Sequence, residues 1–145
     1  MIPIIDYKQD QLEEKIREAY TTVGFAVFTN LTYTYQNRII ERWYDKFRKF
    51  FDLSLETKMK YPYEGDTNLG YTMWLKENVD PSAPKDMKES FNYNDKRMPE
   101  KLWPTEVEGF KEHALETVMI ADEVTERILW QFDNILELNN VYTKG

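Results

Sequence analysis

The feature that most constrains how this chain can fold is the stretch Thr105 to Leu138, which reads as one long amphipathic helix. Thr105 follows Trp103-Pro104 and stands three residues before Glu108. That is the spacing of a capping box, in which hydroxyl and carboxylate satisfy each other's backbone amides. At about 100° per residue, Val107, Phe110, Ala114, Val118, Ala121, Val124, Ile128, Leu129, Phe132, Ile135 and Leu136 fall on one face, and a stripe of that length forms core. Glu112, Glu116, Glu123 and Arg127 fall on the other side. Leu115, Met119 and Trp130 also project away from the stripe, at about 140°, 180° and 200° from Phe110. A face turned only to water has no use for them. They mark an interaction surface, covered either by the domain's own first helix or by another polypeptide.

The rest of the chain supplies shorter pieces. Ile2 to Ile5 is a β-branched run and a predicted strand. Asp10 or Gln11 opens a helix with Leu12, Ile16, Ala19, Tyr20 and Val23 on one face, stopped by Gly24 in the C′ position. Phe25 to Thr29 is too uniformly apolar for a half-solvated strand and is expected in the centre of a sheet. Thr34 begins a second long helix with Ile39, Ile40, Trp43, Phe47, Phe50 and Phe51 on a broad face. Ser54 caps a short helical turn, Leu55 to Lys60, that Pro62 closes. From Tyr61 to Pro84 periodicity gives way to a loop punctuated by Gly65, Gly70, Pro81 and Pro84, with Gly70 to Trp74 as an apolar island. A loop of that length in a compact domain is often functional. Lys88 to Tyr93 alternates like a strand, with Lys88 and Glu89 read as an ion pair at its edge. The predicted class is α+β: three main helices, including one long C-terminal helix, with a few short strands and no complete jelly roll. The predicted core is Leu12, Ile16, Phe25, Val27, Ile39, Trp43, Phe47, Phe50, Phe110, Val118, Ala121, Ile128 and Phe132.

Composition removes several classes of function. At 145 residues one domain is expected, able to bury roughly two-thirds of its unfolded surface. The absence of cysteine excludes disulfides and thiolate metal sites and favours a cytoplasmic chain. No run approaches the ~20 apolar residues of a membrane span, and the N-terminus has no basic segment of the signal-peptide kind. A formal charge of −7, with lysines and arginines scattered among acids, argues against a nucleic-acid partner.

The order of the pieces resembles a known family. The sequence carries Ile2-Pro3-Ile4-Ile5-Asp6, then Gly24-Phe25, then Phe50-Phe51-Asp52-Leu53-Ser54-Leu55-Glu56-Thr57-Lys58. Gly70-Tyr71, Asp86-Met87-Lys88-Glu89-Ser90-Phe91 and Leu102-Trp103-Pro104 follow before the long helix. The set is similar to the N-terminal domain of iron(II)- and 2-oxoglutarate-dependent oxygenases of the isopenicillin N synthase type, over residues 2 to 138, with 139 to 145 left as a polar tail. One local departure is Leu31 after Asn30, where the family usually has Asn-His. The resemblance implies an oxidoreductase whose N-terminal domain covers the substrate and scaffolds the enzyme. In that family iron(II) and 2-oxoglutarate are held by a separate C-terminal jelly-roll half. The family's substrate mouth maps onto Tyr71, Glu89 and Phe91, expected here as substrate-binding residues.

The chain has one histidine, His113, with Leu115 two residues on. It cannot supply the family's His-x-Asp…His triad. Phe110 stands three residues before it, so a helical Glu-x-x-His di-iron motif is missing as well. No catalytic, cofactor or metal residue is assigned, and His113 is read as a surface residue. The expected function is that of a substrate-covering scaffold domain, inactive alone, with a C-terminal jelly-roll half or a separate protein chain as partner and self-association in its absence. Its alternative is a stand-alone acidic protein-interaction module on the same fold.

Overall fold

The computed structural model of the protein describes residues 1–78, 82 and 84–138. Pro81 of the central loop and the polar tail 139–145 lie outside the described residues. The elements in chain order are β1 (Ile4–Asp6), α1 (Leu12–Thr22), β2 (Val27–Thr29), α2 (Thr34–Phe51), α3 (Leu55–Lys58), β3 (Gly70–Thr72), β4 (Ser90–Asn92) and α4 (Phe110–Leu136), with a 3-10 turn at Glu100–Leu102 before α4. This is the α+β arrangement the pattern predicts. The chain groups into two compact units, one of residues 1–40 and 117–145 and one of residues 41–116, so the boundary falls inside α2 and inside α4.

In the first unit β1 and β2 pair in parallel, Ile4 opposite Val27 and Ile5 opposite Phe28. Side chains alternate across a strand. Ile5 and Phe28 therefore turn inward, to a small core with Ile16, Ala19, Phe132 and Ile135. Ile4 and Val27 turn the other way and stay 73% and 50% exposed. The expectation of a central strand at Phe25–Thr29 is corrected here. Among the described residues β2 has β1 as its one neighbour, so Val27 and Phe25, the latter 67% exposed, are not core. A polar clasp completes the unit. The Arg127 guanidinium donates to the Leu31 carbonyl at 2.6 Å, pairs with Glu123 and lies 4.7 Å from the Tyr33 ring centroid. Fully buried Gln36 donates to Glu123 at 2.6 Å. Glu123 and Arg127 are therefore not the solvated face the helical projection makes of them.

The second unit is built from aromatic rings. Phe47, Phe50, Tyr61, Tyr71, Phe91, Trp103 and Phe110 are buried together with Val107 and Ala114. Phe50 has no exposed surface, and its ring meets Phe91 edge-on at 5.0 Å and Phe110 at 5.4 Å. β3 and β4 pair antiparallel, Tyr71 opposite Phe91. The strand at Gly70–Thr72 was not legible as one in the sequence, because three residues are too few to show a period.

α4 begins at Phe110, five residues after the predicted cap. Gly109 holds φ +71°, outside the right-handed helical region. The segment before it is held by other partners: the Tyr61 hydroxyl accepts from the Thr105 amide at 3.1 Å and donates to Glu106 at 2.5 Å. Lys46 donates to the Glu108 carbonyl at 2.6 Å. The anchored carboxylate is Glu106, not Glu108. The predicted stripe also shifts. Phe110 and Ala114 are buried in the second unit, whereas Ile120, Gln131, Asp133 and Ile135 are buried farther along. Ala121 is exposed and Val118 and Ile128 are partly so. A single stripe assumes one partner along the whole helix, and α4 changes units after Glu116.

Candidate functional site

Three local devices in the second unit bring the expected site residues together. Ser54 accepts from the Thr57 amide and caps α3, which delivers Lys58 from its last position. Gly70 has φ +99°, and a Cβ there would lie 2.4 Å from the Pro62 carbonyl oxygen, so only glycine lets β3 pass this close. The Tyr71 amide then donates to the Tyr61 carbonyl at 2.7 Å, and the Tyr71 carbonyl accepts from the Tyr63 amide at 2.9 Å.

Tyr71, Glu89 and Phe91 converge as follows. The Tyr71 hydroxyl donates to Glu89 Oε2 at 2.5 Å. Lys58 Nζ donates to the same oxygen at 2.8 Å and to the Phe51 carbonyl at 2.8 Å, and lies 5.4 Å from the Tyr71 ring centroid. Phe91 backs the group through Phe50. Tyr71 and Phe91 are buried, while a quarter (25%) of the Glu89 side chain reaches solvent. Burial first, and then the hydrogen bond to Glu89, push the Tyr71 phenol above its ordinary value. The group is a fixed proton donor, not a base. The strand-edge pair of Lys88 with Glu89 does not form. Adjacent residues point to opposite sides of an extended chain, so Lys88 joins Glu77 at 2.7 Å while Glu89 takes Lys58. Sequence reasoning passed over Lys58, whose signal was the Ser54-to-Lys58 cap-and-turn motif.

The expected interaction residues on α4 divide. Met119 is 70% and Trp130 49% exposed. Leu115 is partly buried against the aromatic cluster. His113 is half-buried, its Nδ1 2.8 Å from the Gly109 carbonyl oxygen. Among the described residues no three His, Cys, Asp or Glu side chains form a group that could hold a metal ion. The donor set therefore does not fit a facial iron triad. Among the same residues no helix is long and apolar enough to cross a membrane.

The family model described as "non-haem dioxygenase in morphine synthesis N-terminal" matches residues 2–108. The chain belongs to this family. Among curated proteins, none matches the sequence. The structure of a protein described as of the 2OG-Fe(II) oxygenase family, from Caulobacter crescentus, superimposes with a TM-score of 0.74 at 20% identity. The match covers 94% of this chain and 48% of that one, so this dioxygenase-family domain spans about half the length of its structural neighbour. At that identity the likeness is one of fold.

Proposed function

We propose that this chain is the substrate-covering, scaffold-forming N-terminal domain of an iron(II)- and 2-oxoglutarate-dependent oxygenase, and that it is not catalytically complete by itself. The family match supports the domain type, and the description of the half-covered neighbour as a 2OG-Fe(II) oxygenase family protein supports the cofactor class. The observation that carries the reading is the bare face of the β1–β2 sheet. Parallel pairs occur almost only where both sheet faces are covered. Here one face packs on the small core, and the other presents Ile4 and Val27, with exposed Ile2 (51%) and Phe25 (67%) in the chain just before each strand. An oxygenase's jelly-roll half is the occupant we assign to it. Met119 and Trp130, exposed on α4, are the further interaction residues of this reading. Tyr71, Glu89 and Phe91 then act at the substrate side, with the Lys58–Glu89 pair fixing the Tyr71 hydroxyl.

In this reading iron and 2-oxoglutarate are bound by the other half, and this chain contributes covering and positioning. The absence of cysteine and of a membrane-spanning helix among the described residues supports a cytoplasmic location. The coding frame tests the proposal. A jelly-roll sequence with a His-x-Asp…His set downstream, or on a neighbouring frame, is the expected result. A stop codon after Gly145 with no such frame nearby contradicts it and favours an acidic interaction module. Purified chain given iron(II) and 2-oxoglutarate is expected to form no succinate.

A further inference from the structure

The β3–β4 hairpin has two faces, and the Tyr71 group occupies one of them. Side chains alternate across a strand. Leu69, Tyr71 and Phe91 are buried, and the Tyr93 ring meets Phe47 at 5.6 Å while its hydroxyl accepts from Trp43. Those side chains are committed to the core. Asn68, Asn92 and Asn94 take the intervening positions and face outward. Beyond the pairing of Gly70 with Asn92 the two strands part, and there the three asparagines and Arg97 border an open cavity of about 380 Å³. That volume lies within the range of small-molecule sites, about 300–1,000 Å³.

Hydrogen bonds fix which end of each amide is left over. The Asn68 oxygen accepts from the Tyr63 hydroxyl at 3.1 Å and from Asn92 Nδ2 at 3.2 Å. This leaves the Asn68 amide nitrogen to donate and the Asn92 oxygen to accept. The Asn94 oxygen accepts from the main-chain amides of Lys96 at 3.0 Å and Arg97 at 2.9 Å, which leaves the Asn94 amide nitrogen as a second donor. The same two bonds pin the turn that carries Arg97. The Arg97 guanidinium is exposed and has no partner among the described residues. The cavity thus offers donors from three side chains, an acceptor from one, and one positive charge with no carboxylate in its lining.

We propose that this asparagine face binds a sugar acid, with its carboxylate on the Arg97 guanidinium, its hydroxyl oxygens on the Asn68 and Asn94 amide nitrogens, and one hydroxyl donating to the Asn92 oxygen. The guanidinium fork matches a carboxylate, and side-chain amides supply the neutral donors and acceptor that hydroxyls need. A single cation in the lining matches one negative charge better than a phosphate dianion. The site lies on the face of the hairpin opposite Tyr71, Glu89 and Phe91, so it is independent of the proposed oxygenase role.

Glucuronate is the probe, with glucose and glucose 6-phosphate for comparison, titrated into the full 145-residue chain and followed by side-chain amide and guanidinium NMR shifts. The expected result is saturable glucuronate binding with shifts centred on Asn68, Asn94 and Arg97, and weaker binding of both comparison sugars. Arg97→Gln should weaken glucuronate roughly tenfold and leave glucose unchanged, the scale of one charge-assisted hydrogen bond. Asn94→Asp keeps the oxygen that pins the turn but puts an acceptor where the donor stood, and should weaken glucuronate at least as much. Absence of saturation, shifts centred elsewhere, tighter binding of glucose 6-phosphate, or no effect of Arg97→Gln overturns the assignment. Arg97→Gln removes no buried contact, so the test stands even where Asn94→Asp fails to fold.

Discussion

The two units differ in how they close. Residues 41–116 bury Phe50, Phe110, Tyr71, Phe91 and Trp103 against one another. The unit of residues 1–40 and 117–145 has a smaller, mainly aliphatic core around Ile5, Ile16 and Ile135, and it leaves Ile4, Phe25, Val27, Met119 and Trp130 in water. Large rings remove much apolar area per residue and let a short segment complete its own core. A two-stranded parallel sheet cannot do so without cover on its second face. The contrast is between an aromatic core closed on itself and a sheet with one face left in water.

The largest effect should come from the aromatic core. Phe50→Ala is expected to cost about 3–5 kcal/mol, since the ring is fully buried and the cavity it leaves is walled by other rings. Denaturant unfolding measures it. A loss below that of the exposed Phe25→Ala would end the contrast. The next largest effect lies in the Lys58–Glu89 pair. Lys58→Met should cost about 2–3 kcal/mol, less than the roughly 3–5 kcal/mol of a fully buried pair, because Glu89 keeps a quarter (25%) of its side chain in water. A double-mutant cycle with Glu89→Gln reads the coupling.

A smaller effect concerns acid. The Tyr61 hydrogen bond first, and then Lys60, hold Glu106 at about 2, below its ordinary 4.5. A carboxylate whose folded value is depressed stabilises the fold above its unfolded value, and that contribution is lost as pH falls through the window from 4.5 to about 2. Tyr61→Phe should raise Glu106 toward 4.5 and flatten the fall of the melting temperature over that window. An unchanged slope would show that Glu106 is not held this way.

How much of this was legible in the sequence follows from the length of each signal. α1 and α2 carry enough turns for their apolar faces to be read, and Ser54 marks a cap from residue type alone. β3 has three residues and carries no period. The start of α4 was misread because Thr105 and Glu108 have capping-box spacing, while Tyr61, forty-four residues away, takes the segment for itself. At the site, the resemblance supplied Tyr71, Glu89 and Phe91. Lys58 stood within the same set of motifs, at the end of the Ser54-capped turn, but its role was not legible because a buried lysine is defined by the carboxylate it meets.

The most direct test of the central claim is sedimentation of the chain beside the double variant Ile4→Glu/Phe25→Glu. Both residues are exposed, so the substitutions should change stability by no more than about 0.5 kcal/mol each. The account predicts that the wild-type chain self-associates as concentration rises and that the variant stays monomeric with an unchanged circular dichroism spectrum. A wild-type chain that stays monomeric throughout, or a variant that unfolds, would contradict the claim that this sheet face is a surface built to be covered.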